Sequence, residues 1–265
     1  MIPLGEELSI RIHGSTDLPT LVYLPGIHGD WTLVASFRAA LAGCVRFVEF
    51  TYPRTLTWSL DDYADAIESA LAEHGITHGC VLAESFGSQV AWPLVGKANA
   101  AFKAEALILA GGFVRYPVKW NVRLARKVCR EISMTWLKCL LSGYARCAKF
   151  RHRHAPETLA SIGEFLERRT ELDRQAIVHR LTLIVENDPR VIASQIKLPV
   201  YSLIGFFDPI VPWWRVRPWL RANCPGYRAG KIIARADHNV LGTAPQAAAE
   251  IICRWLALHT VVDGA

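Results

Sequence analysis

No apolar run in the 265-residue sequence approaches the roughly 18 residues that a transmembrane helix needs, so a membrane-spanning chain is not expected. The seven cysteines (Cys44, Cys80, Cys129, Cys139, Cys147, Cys224 and Cys253) contain no Cys-x-x-Cys pair. The nine histidines show no ligand spacing beside them, which speaks against a structural zinc. An odd number of cysteines, several inside apolar runs, suits buried reduced thiols better than a disulfide scaffold. The first fourteen residues lack the basic-then-apolar order of a signal peptide, and with the reduced thiols this makes the cytoplasm the expected compartment. Repeats, low-complexity linkers and recognised nucleic-acid modules are also missing, so no nucleic-acid partner is expected.

What is present is material for a core. Hydrophobic residues make up 51% of the chain and charged residues 20%, which excludes disorder. The length is about 1.8 average domains, which fits one large α/β domain as well as two small ones. The net charge of +6 is unevenly spread. Between Val114 and Ala155 lie eleven basic residues and one acid, Glu131, so that this segment carries +10 and the rest of the chain −4. Such a local excess speaks to association rather than to fold.

Strand and helix patterns alternate through the first 110 residues. Leu8–His13, Leu21–Leu24, Val45–Phe50, Cys80–Ala83 and Ala106–Ala110 read as strands. Trp31–Ala42, the segment from Ser59 to Leu71 and Phe86–Lys97 read as helices, with Ser59 as a cap and Asp61 and Asp62 in a first turn that favours negative charge. Apolar strands separated by helices mean a parallel sheet covered on both faces. From Gly112 to Val191 the strand pattern stops. Trp120, Leu124, Val128, Ile132, Trp136, Leu140 and Tyr144 recur every four residues, a spacing that drifts around a 3.6-residue helix by about 40° per step. Two helices broken near Ser133 or Gly143 are therefore expected rather than one, with further helices at Glu157–Arg168 and Asp173–Val185. Alternation resumes with strands at Val200–Ile204 and Lys231–Ala234 and helices at Trp213–Leu220 and Gln246–Leu258. The expected organisation is an α/β core over residues 1–111 and 192–265, a mostly parallel sheet flanked by helices, with a helical cap inserted at 112–191.

The strongest chemical signal is Val81-Leu82-Ala83-Glu84-Ser85-Phe86-Gly87-Ser88. An apolar strand runs into a serine and a helix starts at once, the outline of a nucleophile elbow. Small residues are required two before and two after the serine, and Ala83 and Gly87 supply them. An ordinary strand–helix turn with a serine cap has the same outline on this motif alone. A serine needs a base and an orienting acid to become a nucleophile. Val200–Gly205 is followed three residues later by Asp208, and the strand at Lys231–Ala234 by His238 in a loop. Both would emerge at the same sheet edge as Ser85. Asp237 is the other acid available, but its position beside His238 in the chain makes that ring hard to reach. Asp61, Asp62 and Asp65 read as one solvated helix end, and Glu84 has no assigned role beyond a salt bridge or hydrogen bond beneath the elbow.

At Leu24-Pro25-Gly26-Ile27-His28-Gly29, Ala83-Glu84-Ser85-Phe86-Gly87, Gly205-Phe206-Phe207-Asp208-Pro209-Ile210-Val211-Pro212 and Asp237-His238, the chain resembles the α/β-hydrolase superfamily, and among its members it looks most like bacterial serine esterases. The sequence departs from Gly-x-Ser-x-Gly at Ala83. The resemblance implies a Ser85–His238–Asp208 triad, a helical cap before the acid strand, and an oxyanion hole from the amides of Phe86 and Ile27. His28 is the alternative donor, a pocket wall or a structural histidine. Trp213, Trp214 and Trp219 either line a pocket mouth near Asp208 or pack a helix on the sheet.

The expected activity is hydrolysis of a small-molecule acyl ester, with no cofactor and no metal. An acyltransferase, a thioesterase or a carbon–carbon bond hydrolase would use the same triad, and a ligand receptor would use the same fold. The basic segment has three readings: a solvated helix face, weak contact with an anionic membrane surface, because Trp120, Trp136 and Tyr144 accompany the cations, or an electrostatic funnel for an anionic acyl substrate.

Overall fold

In the computed structural model of the protein, which describes residues 7–133 and 170–259 and the isolated positions 135, 136, 139, 143 and 160, seven strands form one sheet. They are β1 (Ser9–His13), β2 (Thr20–Leu24), β3 (Arg46–Thr51), β4 (His78–Glu84), β5 (Lys103–Ala110), β6 (Val200–Gly205) and β7 (Tyr227–Ile233), in the spatial order β1-β3-β2-β4-β5-β6-β7. Only the edge strand β1 is antiparallel to its neighbour.

Side chains alternate across the pleat, so the central strands feed two cores. Leu21, Tyr23, Cys80, Leu82, Ala106 and Ile108 face one side. There they meet Phe37 of α1 (Ala35–Ala40), Val240 of α8 (Val240–Thr243) and Ile252 of α9 (Pro245–Leu256). Val22, Leu24, Val81, Ala83, Leu107 and Leu109 face the other. They pack with Tyr63 of α2 (Leu60–Glu73), Trp92 of α3 (Gly87–Gly96) and Leu220 of α7 (Trp213–Asn223). Burial on both faces is why these strands read as continuous apolar runs.

Between β5 and β6 stand α4 (Lys119–Glu131), α5 (Glu171–Glu186) and α6 (Arg190–Gln195). The four-residue apolar repeat does break where the drift argument places it: α4 ends at Glu131 and Ile132 is extended. Arg174 of α5 closes that end by donating to the carbonyls of Cys129 and Arg130, at 2.6 and 2.7 Å. The repeat itself is not a buried face in α4, however. Val122 is the buried residue, while Trp120, Leu124 and Val128 are exposed. The expected helix at Glu157–Arg168 lies outside the described residues. No described helix is long and apolar enough to cross a membrane.

Boundaries differ in two informative places. The first helix is reduced to a 3-10 turn at Thr32–Val34 and a short α1, because Asp30 takes the Thr32 amide and starts a tight turn. β7 begins at Tyr227 instead of Lys231, since Tyr227, Ala229 and Gly230 pair with β6, across an irregularity at Arg228, despite weak strand propensity. The register brings the carboxyl ends of β2, β4, β5, β6 and β7 to one edge, with Leu24 beside Ala83, Glu84 beside Ala110, and Gly205 beside Ile233. The loops that follow these strands therefore meet.

Candidate active site

Ser85 sits where β4 ends and α3 is about to begin, and it is the one described non-glycine residue with positive φ, at 48°. A left-handed conformation costs an L-residue roughly 1–2 kcal/mol, and it is stabilised here by what surrounds it. The Ser85 amide donates to the Ala110 carbonyl at 3.0 Å, and the Ser85 carbonyl accepts from the Ser88 hydroxyl at 2.6 Å. The turn brings α3 against the end of β2. A Cβ on Gly87 would lie 2.3 Å from the Leu24 carbonyl oxygen, so the small residue two after the serine is a steric requirement.

The base and the acid arrive from β7 and β6. His238 Nδ1 is 2.8 Å from Asp208 Oδ2, and His238 Nε2 is 2.8 Å from Ser85 Oγ. A carboxylate only accepts, so Nδ1 carries the hydrogen, Nε2 is the acceptor, and the Ser85 hydroxyl donates to it. The second carboxylate oxygen of Asp208 accepts the amides of Ile210 and Val211, at 2.8 and 2.9 Å. The Tyr116 hydroxyl donates to the Ile210 carbonyl and braces the same turn. Asp237 takes a different part: it accepts from the Asn239 amide and the Thr243 hydroxyl, shaping the loop that holds His238. The acid on the imidazole is Asp208.

Burial disfavours the charged imidazole, but the Asp208 hydrogen bond and the charges of Asp208, Glu84 and Asp237 outweigh it and hold His238 above the ordinary histidine value of 6.5. Glu84, one residue before the serine, is buried and accepts from the Tyr23 hydroxyl. Desolvation pushes its carboxyl up, only partly opposed by the Tyr23 bond and His238, while Asp237 and Asp30 add to the rise. A hydrogen bond beneath the elbow, the plain reading of Glu84, is what the structure contains.

The turn after β2 is closed by the Gly29 amide donating to the Gly26 carbonyl at 2.9 Å, with Ile27 and His28 at its corners. A Cβ on Gly26 would be 3.5 Å from Ser85 Cβ, so this turn lies directly over the serine. Among the described residues neither the Ile27 nor the Phe86 amide donates to a backbone carbonyl. The outer wall comes from a residue that sequence reasoning missed. Arg180, 2% exposed, extends from α5 and donates to the carbonyls of Ile27 at 2.9 Å and Pro53 at 3.0 Å. Gly29 makes room for it, since a Cβ there would be 2.5 Å from Nη1. Arg54 adds a second link to α5 through Asp173, at 2.7 Å.

Trp213 and Trp214, at the start of α7, form an aromatic cluster with Phe206 and Phe207 of the loop that carries Asp208. Phe206, Phe207 and Trp214 are more than half solvent-exposed or close to it, at 50, 61 and 58%. His28 is half-buried in the turn after β2. Among the described residues no cluster of three His, Cys, Asp or Glu side chains is arranged to hold a metal ion.

Neither a scan against protein-family models nor a search of curated proteins finds a match. Solved structures do match over nearly the whole chain. A hydrolase from Pseudomonas aeruginosa PA01 superposes with a TM-score of 0.76 at 16% identity, covering 94% of both chains. An esterase from Exiguobacterium antarcticum gives 0.76 at 15% identity, over 94% of this chain and 95% of its own. The enol-lactonase from Burkholderia xenovorans LB400 gives 0.75 at 17%, over 94% and 96%. At these identities the likeness speaks to the fold. A mostly parallel seven-stranded sheet with helices on both faces, a helical insertion between β5 and β6, and neighbours of this kind along the whole chain make this an α/β-hydrolase fold.

Proposed function

We propose that the protein is a serine hydrolase that cleaves carboxylic esters through an acyl-enzyme on Ser85. The observation that carries this reading is the pair of 2.8 Å contacts that run from Ser85 Oγ through the His238 ring to Asp208. Ser85 Oγ attacks the acyl carbonyl while His238 Nε2 takes its proton. Asp208 keeps the ring in the tautomer that accepts at Nε2 and stabilises the imidazolium that forms. The Phe86 and Ile27 amides receive the oxyanion of the tetrahedral intermediate. Collapse expels the alcohol, which His238 protonates. Water, deprotonated by the same nitrogen, then attacks the acyl-enzyme and releases the acid and Ser85. The cycle closes with His238 as the one proton carrier.

The ester class is supported by the neighbouring esterase and by the enol-lactonase, whose named substrate class is a cyclic ester. Residues 112–191 serve in this proposal as the cap that selects the acyl chain, with His28, Trp213 and Trp214 at the pocket. Weak contact with an anionic membrane surface belongs to it too. It is supported by the exposure of Trp120 and Trp136 on a segment rich in arginine and lysine. The test is a chain-length series of nitrophenyl esters with wild type and Ser85→Ala, together with mass spectrometry after a fluorophosphonate. The expected result is turnover that Ser85→Ala abolishes and a single adduct on Ser85. Wild-type turnover in Ser85→Ala, or an adduct elsewhere, would overturn the proposal.

A further inference from the structure

Five cations converge on a cavity beside the Asp208 turn, since Tyr116, which braces that turn, also lines it. Arg115 comes from the segment after β5, Lys119 and Arg123 from α4, Arg190 from α6 and Arg215 from α7. The cavity measures about 480 Å³, within the range of small-molecule sites. Buried Val114, Tyr116 and Val216 and half-buried Trp219 contribute an apolar lining. Such a pairing of an apolar floor and charged walls differs from a solvated basic face, in which side chains spread apart.

The charge is not balanced from within. Asp188 is held by Arg190 at 2.6 Å and by Arg115 at 3.5 Å, and the five cations have no other carboxylate partner among the described residues. Lys119 registers the crowding: desolvation first, then Arg115, Arg123 and Arg190, pull its ammonium below the ordinary lysine value against the pull of Asp188. A second arginine cluster among the described residues is different. There Arg11, His13 and Arg38 all address one buried carboxylate, Glu49, and the cavity of about 370 Å³ that His13 and Arg38 help line is left with side chains already engaged.

We propose that the cavity formed by Arg115, Lys119, Arg123, Arg190 and Arg215 is a binding site for a phosphate-bearing ligand. Arginine forks match the oxygens of a phosphate and remain charged at any physiological pH, and lysine adds a point charge. A carboxylate would satisfy one fork. Four arginines and a lysine from four separate segments suit several oxygens carrying more than one charge. The Trp219 ring and the apolar floor suit a ligand with an uncharged body attached to its phosphate. The source is either a soluble phosphate compound or a lipid headgroup, and the experiment separates them.

Binding of inorganic pyrophosphate to the full chain is measured by calorimetry across a salt series, and binding to phosphatidic acid and phosphatidylcholine vesicles by sedimentation. Two double variants are compared, Arg123→Gln with Arg215→Gln in the cavity and Arg221→Gln with Arg254→Gln outside it, after equal thermal melts establish folding. Arg123 lies in the segment proposed as the cap, so ester turnover is not the readout: phosphate binding reports the cavity, and a fluorophosphonate adduct on Ser85 reports the nucleophile separately. Pyrophosphate binding that weakens with salt and falls roughly tenfold or more in the cavity variant, yet persists in the control, supports a soluble ligand. Binding confined to phosphatidic acid vesicles with the same variant pattern supports a headgroup. No binding to either probe, or equal loss in both double variants, would overturn the site and return the charge to a solvated surface.

Discussion

Arg180 and Ile27, 153 positions apart in the chain, are joined by a 2.9 Å hydrogen bond from the guanidinium to the carbonyl. The carbonyl belongs to the turn that lies over Ser85, and the arginine belongs to a helix inserted between β5 and β6. The insertion therefore holds the turn that the proposed chemistry uses for oxyanion stabilisation. In this role Arg180 is a positioning residue, acting through the backbone of Ile27.

Arg180→Met should lower kcat about tenfold to a hundredfold with KM near wild type, because a small misplacement of an oxyanion donor affects the transition state more than the ground state. Arg180→Lys should recover part of the loss, since one ammonium cannot span both carbonyls. Steady-state kinetics decide it: unchanged kcat in Arg180→Met, or a pure KM effect, would remove the arginine from the oxyanion site. Both variants should also melt earlier, by the cost of buried carbonyls left without a donor.

Ser85→Ala and His238→Ala should each reduce ester turnover by about 10³-fold or more, and the double variant should be little worse than either, because serine and base act as a unit. Multiplying losses would mean that the two residues work independently. Circular dichroism should show all three folded, since both side chains stand at the ends of strands instead of in the core.

The rise of kcat/KM with pH should have its midpoint above the ordinary histidine value of 6.5, because His238 must be neutral to take the serine proton and the carboxylates around it favour the charged form. Glu84→Gln removes one of those carboxylates and should move the midpoint down. The same variant has a stability signature. The Glu84 carboxyl is raised in the folded state, so its contribution is full below the unfolded value and is lost as pH climbs through the folded one. The melting temperature of Glu84→Gln relative to wild type should thus improve as pH rises from the ordinary carboxyl value of 4.5 toward the raised folded one. A difference independent of pH would mean that the Glu84 carboxyl titrates alike in the folded and unfolded protein.

Gly87→Ala should destabilise the protein by about 1–3 kcal/mol, the usual cost of forcing a methyl group into packed backbone, and should lower turnover together with stability. The obstacle is the Leu24 carbonyl 2.3 Å from the added carbon, and a backbone oxygen cannot rotate away as a side chain can. Urea unfolding gives the number. An unchanged midpoint would show that the elbow has slack that the contact with β2 does not suggest.

The elbow, the acid strand and the histidine loop were legible in the sequence because each is a local event: an apolar run, a turn, and one polar residue at its end. Ser59 capping α2 with Asp62 was legible for the same reason. β7 was placed four residues late because its first half is held by the ladder of β6, which is not a local property. The repeat of Trp120, Leu124 and Val128 was legible as a helix that must break, and α4 does end at Glu131, with all three side chains exposed. Arg180 was the largest omission. It lies on one face of α5 with buried Ala176 and Ile184, four residues away on each side, and a lone arginine in an apolar stripe is a signal that could have been followed. What it holds, two carbonyls in distant turns, had no sequence mark at all.

The Ser85–His238 hydrogen bond closes a loop of 153 residues, and β5 and β6 stand between the two strands that carry it. It forms only in a chain in which β4, β5, β6 and β7 have all come into register. Long-range pairing of this kind is slow to assemble, and fragments with native helices and half a sheet would have the serine without its base. A reagent that reacts with an activated serine therefore counts fully assembled molecules. In a refolding experiment its labelling curve should lag the recovery of helix signal and coincide with the docking of the last parallel strand, making the proposed nucleophile a clock for the slowest step of the fold.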